Sequence, residues 1–177
     1  MSKENIFIEN LKNTLRNYPD FPKKGILFKD VLTILKNPDL FSQLIDKISN
    51  FDIVQNSDAI IAIDARGFIF GSALSFFIKK PLIFARKPGK LPGELISNTY
   101  DLEYGSNTLC LQKDSLDGFN KFCIIDDLLA TGGTAASVEE LILSQNKSVT
   151  GIVVVVELLS LEGRKKFKSK VSSVIEF

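Results

Sequence analysis

The sequence predicts an α/β domain whose mainly parallel central sheet is flanked by helices. Three observations predict it. The runs "AIIAI" (59–63), "PLIFAR" (81–86), "KFCIID" (121–126) and "VTGIVVVVEL" (149–158) have strand length and are almost continuously apolar, as strands covered on both faces are. Helix-length segments stand between or after them. Two of the runs end in charge, at Asp64-Ala65-Arg66-Gly67 and at Asp126-Asp127, and open parallel sheets bind ligands beyond the carboxyl ends of their strands. The 177 residues suffice for a single domain over 1–177 with one well-buried core, and no repeat, low-complexity tract or linker divides them.

The elements follow in order. Residues 3–17 read as a helix with Ile6 or Phe7, Leu11 and Leu15 on one face. "YPDFPKKG" (18–25) is a loop punctuated by Pro and Gly. Residues 38–50 read as an amphipathic helix with Leu40, Leu44, Ile45 and Ile48 inward. Strand 59–63, helix 67–79 and strand 81–86 come next. The segment 86–108 has two Pro, three Gly, mixed charge and no sustained helical period. It reads either as a lid, with a short hairpin around 93–105, or as a solvated surface loop. Strand 121–126, helix 133–146, strand 149–158, helix 160–168 and a last strand, "VSSVIEF" (171–177), complete the chain.

Composition excludes several classes of function. The chain has no His, which removes Ser-His and Cys-His catalysis and His-containing metal sites, and leaves Asp, Glu, Lys and Tyr for acid–base work. Its 22 basic and 21 acidic residues give a net charge of +1, which argues against broad nucleic-acid binding. Residues 59–78 are long enough to span a membrane, yet Asp64 and Arg66 within them would each cost about 3 kcal/mol on insertion, so no membrane partner is expected. "MSKENIFIENLKN" lacks the apolar core of a signal peptide, and Cys110 and Cys123 sit in apolar runs as buried free thiols would. Both point to a reducing, cytoplasmic setting.

The chemistry concentrates in "CIIDDLLATGGTAAS" (123–137). Side chains alternate along a strand, so adjacent carboxylates converge only where the strand has ended and the backbone turns. At about 6 Å two such charges repel by roughly 3 kcal/mol at an effective dielectric near 20. A cation, hydroxyl donors or, at a solvated strand end, water must offset that. "ATGGT" (130–134) offers successive backbone N–H groups, two Thr hydroxyls and a helix start, which together make a phosphate cradle. It is not a Walker loop, because no Lys-Ser or Lys-Thr follows its glycines. Carboxylates for sugar hydroxyls, with a phosphate cradle about one sugar away, describe a ribose 5-phosphate site.

"IIDDLLATGGTAAS" resembles the signature of the type I phosphoribosyltransferases. "YPDFPKKGILFKD", "IDARGFIFG", "RKPGKLPGE" and "DLEYG" narrow the resemblance to the adenine-specific branch of that family, from about residue 17 onward. The resemblance implies that fold, with hood elements near 18–36 and in the C-terminal segment and a flexible loop at about 86–108. It implies that adenine attacks C1 of 5-phosphoribosyl 1-pyrophosphate (PRPP), giving AMP and pyrophosphate, with Mg²⁺ carried on the pyrophosphate rather than held directly. It also implies a homodimer.

Residue by residue, the resemblance gives the 5-phosphate to Ala130, Thr131, Gly132, Gly133 and Thr134, and the ribose hydroxyls to Asp126 and Asp127. The two carboxylates also face the positive charge that develops on the ribose. Arg66, after a turn at Asp64 that is often a non-proline cis peptide in the family, is assigned to pyrophosphate. An ion pair between Arg66 and Asp64 is the alternative. Arg86, Lys87 and Lys90 match the basic entrance to the hood. Glu103 matches the general acid/base of a closing loop, with Tyr104 beside it. Phe28 matches the aromatic that stacks on the base, with Leu158 on its other face. The main chain at Leu27 and Lys29 matches the edge contact to adenine. Lys29 stands where many members have Arg, so any guanidinium contact there is lost.

Taken singly, several of these residues have plainer readings: Phe28 as core, Glu103 as an exposed loop carboxylate, and the hood lysines as solvated charges. The competing enzyme acts on hypoxanthine, guanine or xanthine. Such enzymes commonly place a lysine after the fourth strand, where this chain has Glu157 and no Lys before Lys165. A PRPP-sensing regulator would need an added nucleic-acid-binding element, for which length and charge leave little room. A simple nucleotide-binding module leaves Glu103 and the basic hood without a task.

Overall fold

The computed structural model describes residues 2–21, 23–102 and 105–177. Ser2 opens the first helix, its hydroxyl accepting from the Asn5 N–H at 3.2 Å. In α1 (Lys3–Thr14) Leu11 is buried and Phe7 packs against the core, while Ile6 stays 49% exposed, which decides between the two candidates for that face. The expected loop that follows contains a small antiparallel hairpin, β1 (Arg16–Pro19) and β2 (Leu27–Asp30). Its strands have four residues each; β1 is exposed throughout and the one buried side chain of β2 is Lys29, so they carry no hydrophobic alternation to read. Asp30 then caps a 3₁₀ turn over Val31–Lys36 by accepting from the Leu32 N–H at 3.1 Å.

Asn37 caps α2 (Pro38–Ser49) through the Leu40 N–H, with Pro38 in the first turn where its missing N–H is harmless. Leu40, Leu44, Ile45 and Ile48 are buried, as the periodicity predicts. A short α3 (Asp52–Gln55) leads into β3 (Ala59–Ile63), followed by α4 (Gly67–Ile78) and β4 (Leu82–Ala85). The segment 86–108 is more ordered than the sequence suggests. β5 (Leu95–Leu102) and β6 (Gly105–Gln112) form an antiparallel hairpin longer than the one anticipated, joined to the end of β4 by paired main-chain bonds between Arg86 and Cys110.

β7 (Lys121–Leu129) overturns one expectation: the strand does not end at the carboxylates but continues through both of them for two more residues. Next come α5 (Gly133–Ser144), β8 (Ser148–Glu157) and β9 (Val171–Glu176). The helix expected over 160–168 is replaced by two 3₁₀ turns, Leu159–Leu161 and Gly163–Lys166. Glu162 between them has φ 50°, a left-handed conformation that ends helical propagation.

Among the described residues five strands form the central sheet in the order β4-β3-β7-β8-β9, all parallel. Ile60 and Ala62 face the layer of α1, α2 and α4, whereas Ile61 and Ile63 face α5 and the β5–β6 hairpin. Each large aliphatic buried this way contributes roughly 1.5–3 kcal/mol, which makes the strand ends a rigid platform. The chain leaves β3 toward the edge strand β4 and returns on the other side as β7. That reversal opens a crevice above the adjacent carboxyl ends of β3 and β7, where doubly wound sheets bind ligands. Among the described residues no helix is long and apolar enough to cross a membrane.

Candidate active site

Because β7 runs straight through them, Asp126 and Asp127 are divided by the pleat rather than brought to one spot. Asp126 lines a cleft of about 90 Å³ with residues 128–135 and Val154. Asp127 is 3% exposed and accepts from Arg66 Nε at 2.5 Å. The Asp127 N–H donates to Asp126 Oδ1 at 2.8 Å. Burial, and then the charge of Asp127, push the Asp126 carboxyl well above the usual carboxylate range. Close packing adds to this: a Cβ placed on Gly67 would lie 3.0 Å from Asp126 Oδ1.

The cradle completes the same cleft. Ala130–Thr134 runs from the end of β7 into α5, and Gly132 adopts φ +79°, a left-handed conformation that glycine takes without strain. The loop leads into the positive end of α5. Thr131 is exposed at the rim. The Asp126 carboxylate and the 130–134 loop therefore share one cavity.

The turn after β3 faces it. The Asp64–Ala65 peptide is cis. Arg66 does not pair with Asp64: it reaches Asp127, and its guanidinium lies 5.6 Å from the Phe28 ring centroid. Burial opposes its charge, but the Asp127 hydrogen bond and the charges of Asp127, Asp126 and Asp30 outweigh that and raise its pKa. Asp64 pairs instead with Arg86 at 3.1 Å, and Arg86 also donates to the Lys90 carbonyl at 3.3 Å. Lys87 and Lys90 are exposed beside it.

On the opposite side of the cleft, alternation along β2 separates its residues. Leu27 and Lys29 line a cavity of about 430 Å³ with Leu158, Ser160, Leu161 and Phe177. Phe28 faces the other way, toward Phe21 and Arg66, so the structure does not bring it together with Leu158 in that cavity, because neighbouring residues of β2 point to opposite sides. Lys29 is 9% exposed, and its ammonium donates to Asn17 Oδ1 at 3.1 Å and lies 3.5 Å from the Phe177 ring centroid. Burial, and then the Lys12 charge, lower its pKa. Pro19 stands opposite Leu27 and has no N–H to donate to the Leu27 carbonyl.

Glu103 and Tyr104 lie outside the described residues. Both cysteines are free and buried, and burial pushes the Cys123 thiol up to about 12, so it does not act as a nucleophile. Sequence reasoning missed Phe177, Gly163 and Arg164. The first reads as the tail of a strand and the other two as part of a helix, and only their places beside the cavity and the cradle reveal them.

A switch-point crevice that pairs a ribose-type carboxylate with a helix-start phosphate cradle defines a phosphoribosyl-binding α/β domain. Residues 30–177 match the phosphoribosyl transferase domain family, and the chain belongs to that family. The matched range begins directly after Lys29. The chain is 56% identical over 166 residues to an adenine phosphoribosyltransferase of Prochlorococcus marinus subsp. pastoris, covering 94% of this chain and 97% of the relative. The crystal structure of the adenine phosphoribosyltransferase from Thermoanaerobacter pseudethanolicus superposes with a TM-score of 0.89 at 41% identity, covering 96% of this chain and 99% of that one. The Saccharomyces cerevisiae enzyme, complexed with an imino-altritol bisphosphate and adenine, gives 0.88 at 36% identity, covering 97% and 99%.

Proposed function

We propose that the chain transfers the 5-phosphoribosyl group from PRPP to adenine, releasing AMP and pyrophosphate. The observation that carries this reading is the single cleft in which Asp126 meets the cradle 130–134, with Arg66 beside it. In this reading the cradle fixes the 5-phosphate, and Asp126 and Asp127 accept from the ribose 2- and 3-hydroxyls. Their negative charge also favours the positive charge that develops at C1 as pyrophosphate departs. Arg66, Arg86, Lys87 and Lys90 draw the leaving group. Phe28 stacks on the base from the Arg66 side of β2, the main chain at Leu27 and Lys29 reads its edge, and Glu103 exchanges the purine proton.

The carboxylates here suit a cation that arrives with the substrate. Asp127 and Asp64 are already paired with arginines, and burial disfavours charge on Asp126. Mg²⁺ bound to pyrophosphate would supply charge neutralisation on the leaving group. We place the reaction in the cytoplasm, in keeping with the two free thiols. A homodimer is part of the same reading: α4 and the edge strand β4 expose Phe76, Phe77 and Phe84, an apolar face suited to a second copy. Sedimentation showing an active monomer at micromolar concentration would refute the dimer.

The test supplies adenine, guanine and hypoxanthine separately with PRPP and Mg²⁺ and follows mononucleotide formation. AMP from adenine alone is expected. Conversion of guanine or hypoxanthine with an efficiency within about tenfold of adenine would overturn the reading.

A further inference from the structure

Behind the phosphate cradle lies a turn that the mechanism above does not use. Gly163 is packed directly on the loop: a Cβ placed on it would lie 2.3 Å from the Ala130 carbonyl oxygen and 3.0 Å from Leu129 Cδ1. In return, a Cβ on Gly132 would lie 2.6 Å from the Gly163 carbonyl oxygen. No side chain fits at either position, so the cradle and the turn set each other's shape.

The turn is itself anchored by the next residue. Arg164 Nε donates to Glu157 Oε1 at 2.5 Å, Nη1 to the Val171 carbonyl at 3.1 Å, and Nη2 to Ser173 Oγ and Glu176 Oε1, each at 2.9 Å. One planar guanidinium thus ties the turn to the end of β8 and along β9. Glu157 is 2% exposed, its Oε2 has no partner among the described residues, and Arg164 is the cation paired with it. The left-handed Glu162 just before Gly163 is a conformation that persists only where the surroundings impose it. Leu158 N–H to Leu129 O at 2.9 Å and Leu159 N–H to Phe177 O at 2.8 Å fix the start of the same segment.

We infer that Gly163 and Arg164 are positioning residues for the 5-phosphate: the Glu157–Arg164 ion pair holds Gly163 against Ala130 and Gly132 and so fixes the curvature of the cradle. This rests on the phosphoribosyl reading of the cleft. Neither residue touches the ligand. Both act through the main chain of 130–132, whose N–H groups must converge on one anion.

The experiment compares Gly163→Ala and Arg164→Lys with the unaltered protein. Arg164→Lys keeps the charge that neutralises Glu157 but loses the fork that spans four acceptors, so it tests the geometry where Gly163→Ala fails to fold. Readouts are the Kd for ribose 5-phosphate by calorimetry, the KM values for PRPP and adenine, and Tm. The expected result is a rise of about tenfold or more in ribose 5-phosphate Kd and PRPP KM for Gly163→Ala, and of about threefold for Arg164→Lys, with adenine KM changed by less than about twofold. A merely structural role would lower Tm and leave both constants alone. Constants for ribose 5-phosphate within about twofold of the unaltered protein in a folded variant, or equal losses for both substrates, would overturn the inference. If the unaltered protein binds ribose 5-phosphate but does not convert adenine, the reaction reading fails while the Kd comparison still decides the role of the turn.

Discussion

The two ends of the crevice are built differently. The phosphate end is made where the sheet itself stops: β7 delivers Asp126, Asp127 and the cradle in nine consecutive positions, 126–134, on a platform of fully buried strands. The end proposed for the base rests on a four-residue strand, with Phe28 turned to Arg66 and Lys29 turned to the cavity that Leu158 and Phe177 line. The first is rigid and carries its chemistry in side chains and glycines. In the second, the Lys29 side chain is engaged by Asn17 and Phe177, so in the proposed reading the main chain is left to meet the base. A contiguous site on a buried platform tolerates little change. A site assembled from distant, exposed pieces is expected to shift affinity rather than fail.

Substitutions at each end sharpen that contrast, beginning with the largest expected effect. Gly132→Val must abandon φ +79° and collide with the Gly163 carbonyl, so kcat/KM for PRPP should fall by about 10²-fold or more in steady-state assays. Asp127→Asn removes the carboxylate that holds Arg66 and should lower kcat/KM by about 10–10²-fold, in both KM and kcat. Unchanged kinetics in both variants would refute the assignment of the phosphate end. At the base end Phe28→Ala should raise adenine KM by about tenfold, the scale of one lost stacking contact, and leave the Kd for ribose 5-phosphate unchanged. A parallel loss in both would mean that the two ends are not separable.

Asp126 gives a smaller, pH-dependent effect. Its folded pKa is raised, so its contribution to stability is present below the unfolded-state value and is lost as pH rises through the folded value. Asp126→Asn should therefore raise the Tm of the unliganded protein at neutral pH, about 1 kcal/mol corresponding to about 2–4 °C in a chain of this size. The hydroxyls of ribose need the ionised acceptor. The Kd for ribose 5-phosphate should thus fall as pH rises above the usual carboxylate range, and the variant should bind more weakly with a flatter profile. Calorimetry across that range, in both proteins, checks the sign.

The cleft of Asp126 and residues 130–134 was legible in the sequence because its residues are contiguous and their chemistry is local. Even there, one inference failed for a physical reason. Adjacent carboxylates were expected to need a broken strand, yet β7 passes through both, with Asp127 paired to Arg66 and Asp126 lining the cleft. The strands were legible because burial on both faces writes a continuous apolar run. β1 and β2 were not, since four-residue strands whose one buried side chain is Lys29 leave no periodic apolar trace. The 160–168 segment reads as helix from its composition, but a left-handed Glu162 and the ties of Arg164 to β8 and β9 override local propensity. Strand order, which brings Arg66 to Asp127 across 61 residues, is tertiary information that no local pattern carries.

The central claim is that the phosphate end is read by side chains and glycines and the base end by main chain. Adenine offers a donor amine at C6 beside an acceptor at N1, and a 6-oxopurine offers the reverse. A fixed carbonyl and N–H at Leu27 and Lys29 would match the first and leave buried groups unpaired against the second, a discrimination of roughly 10⁴-fold. The most direct measurement is the ratio of kcat/KM for adenine to that for hypoxanthine, in the unaltered protein and in Lys29→Ala. The account predicts a ratio that stays near its original value, within about tenfold, although the variant loses the contacts to Asn17 and Phe177. A ratio that collapses toward unity in Lys29→Ala would show that a side chain reads the purine edge, and would contradict it.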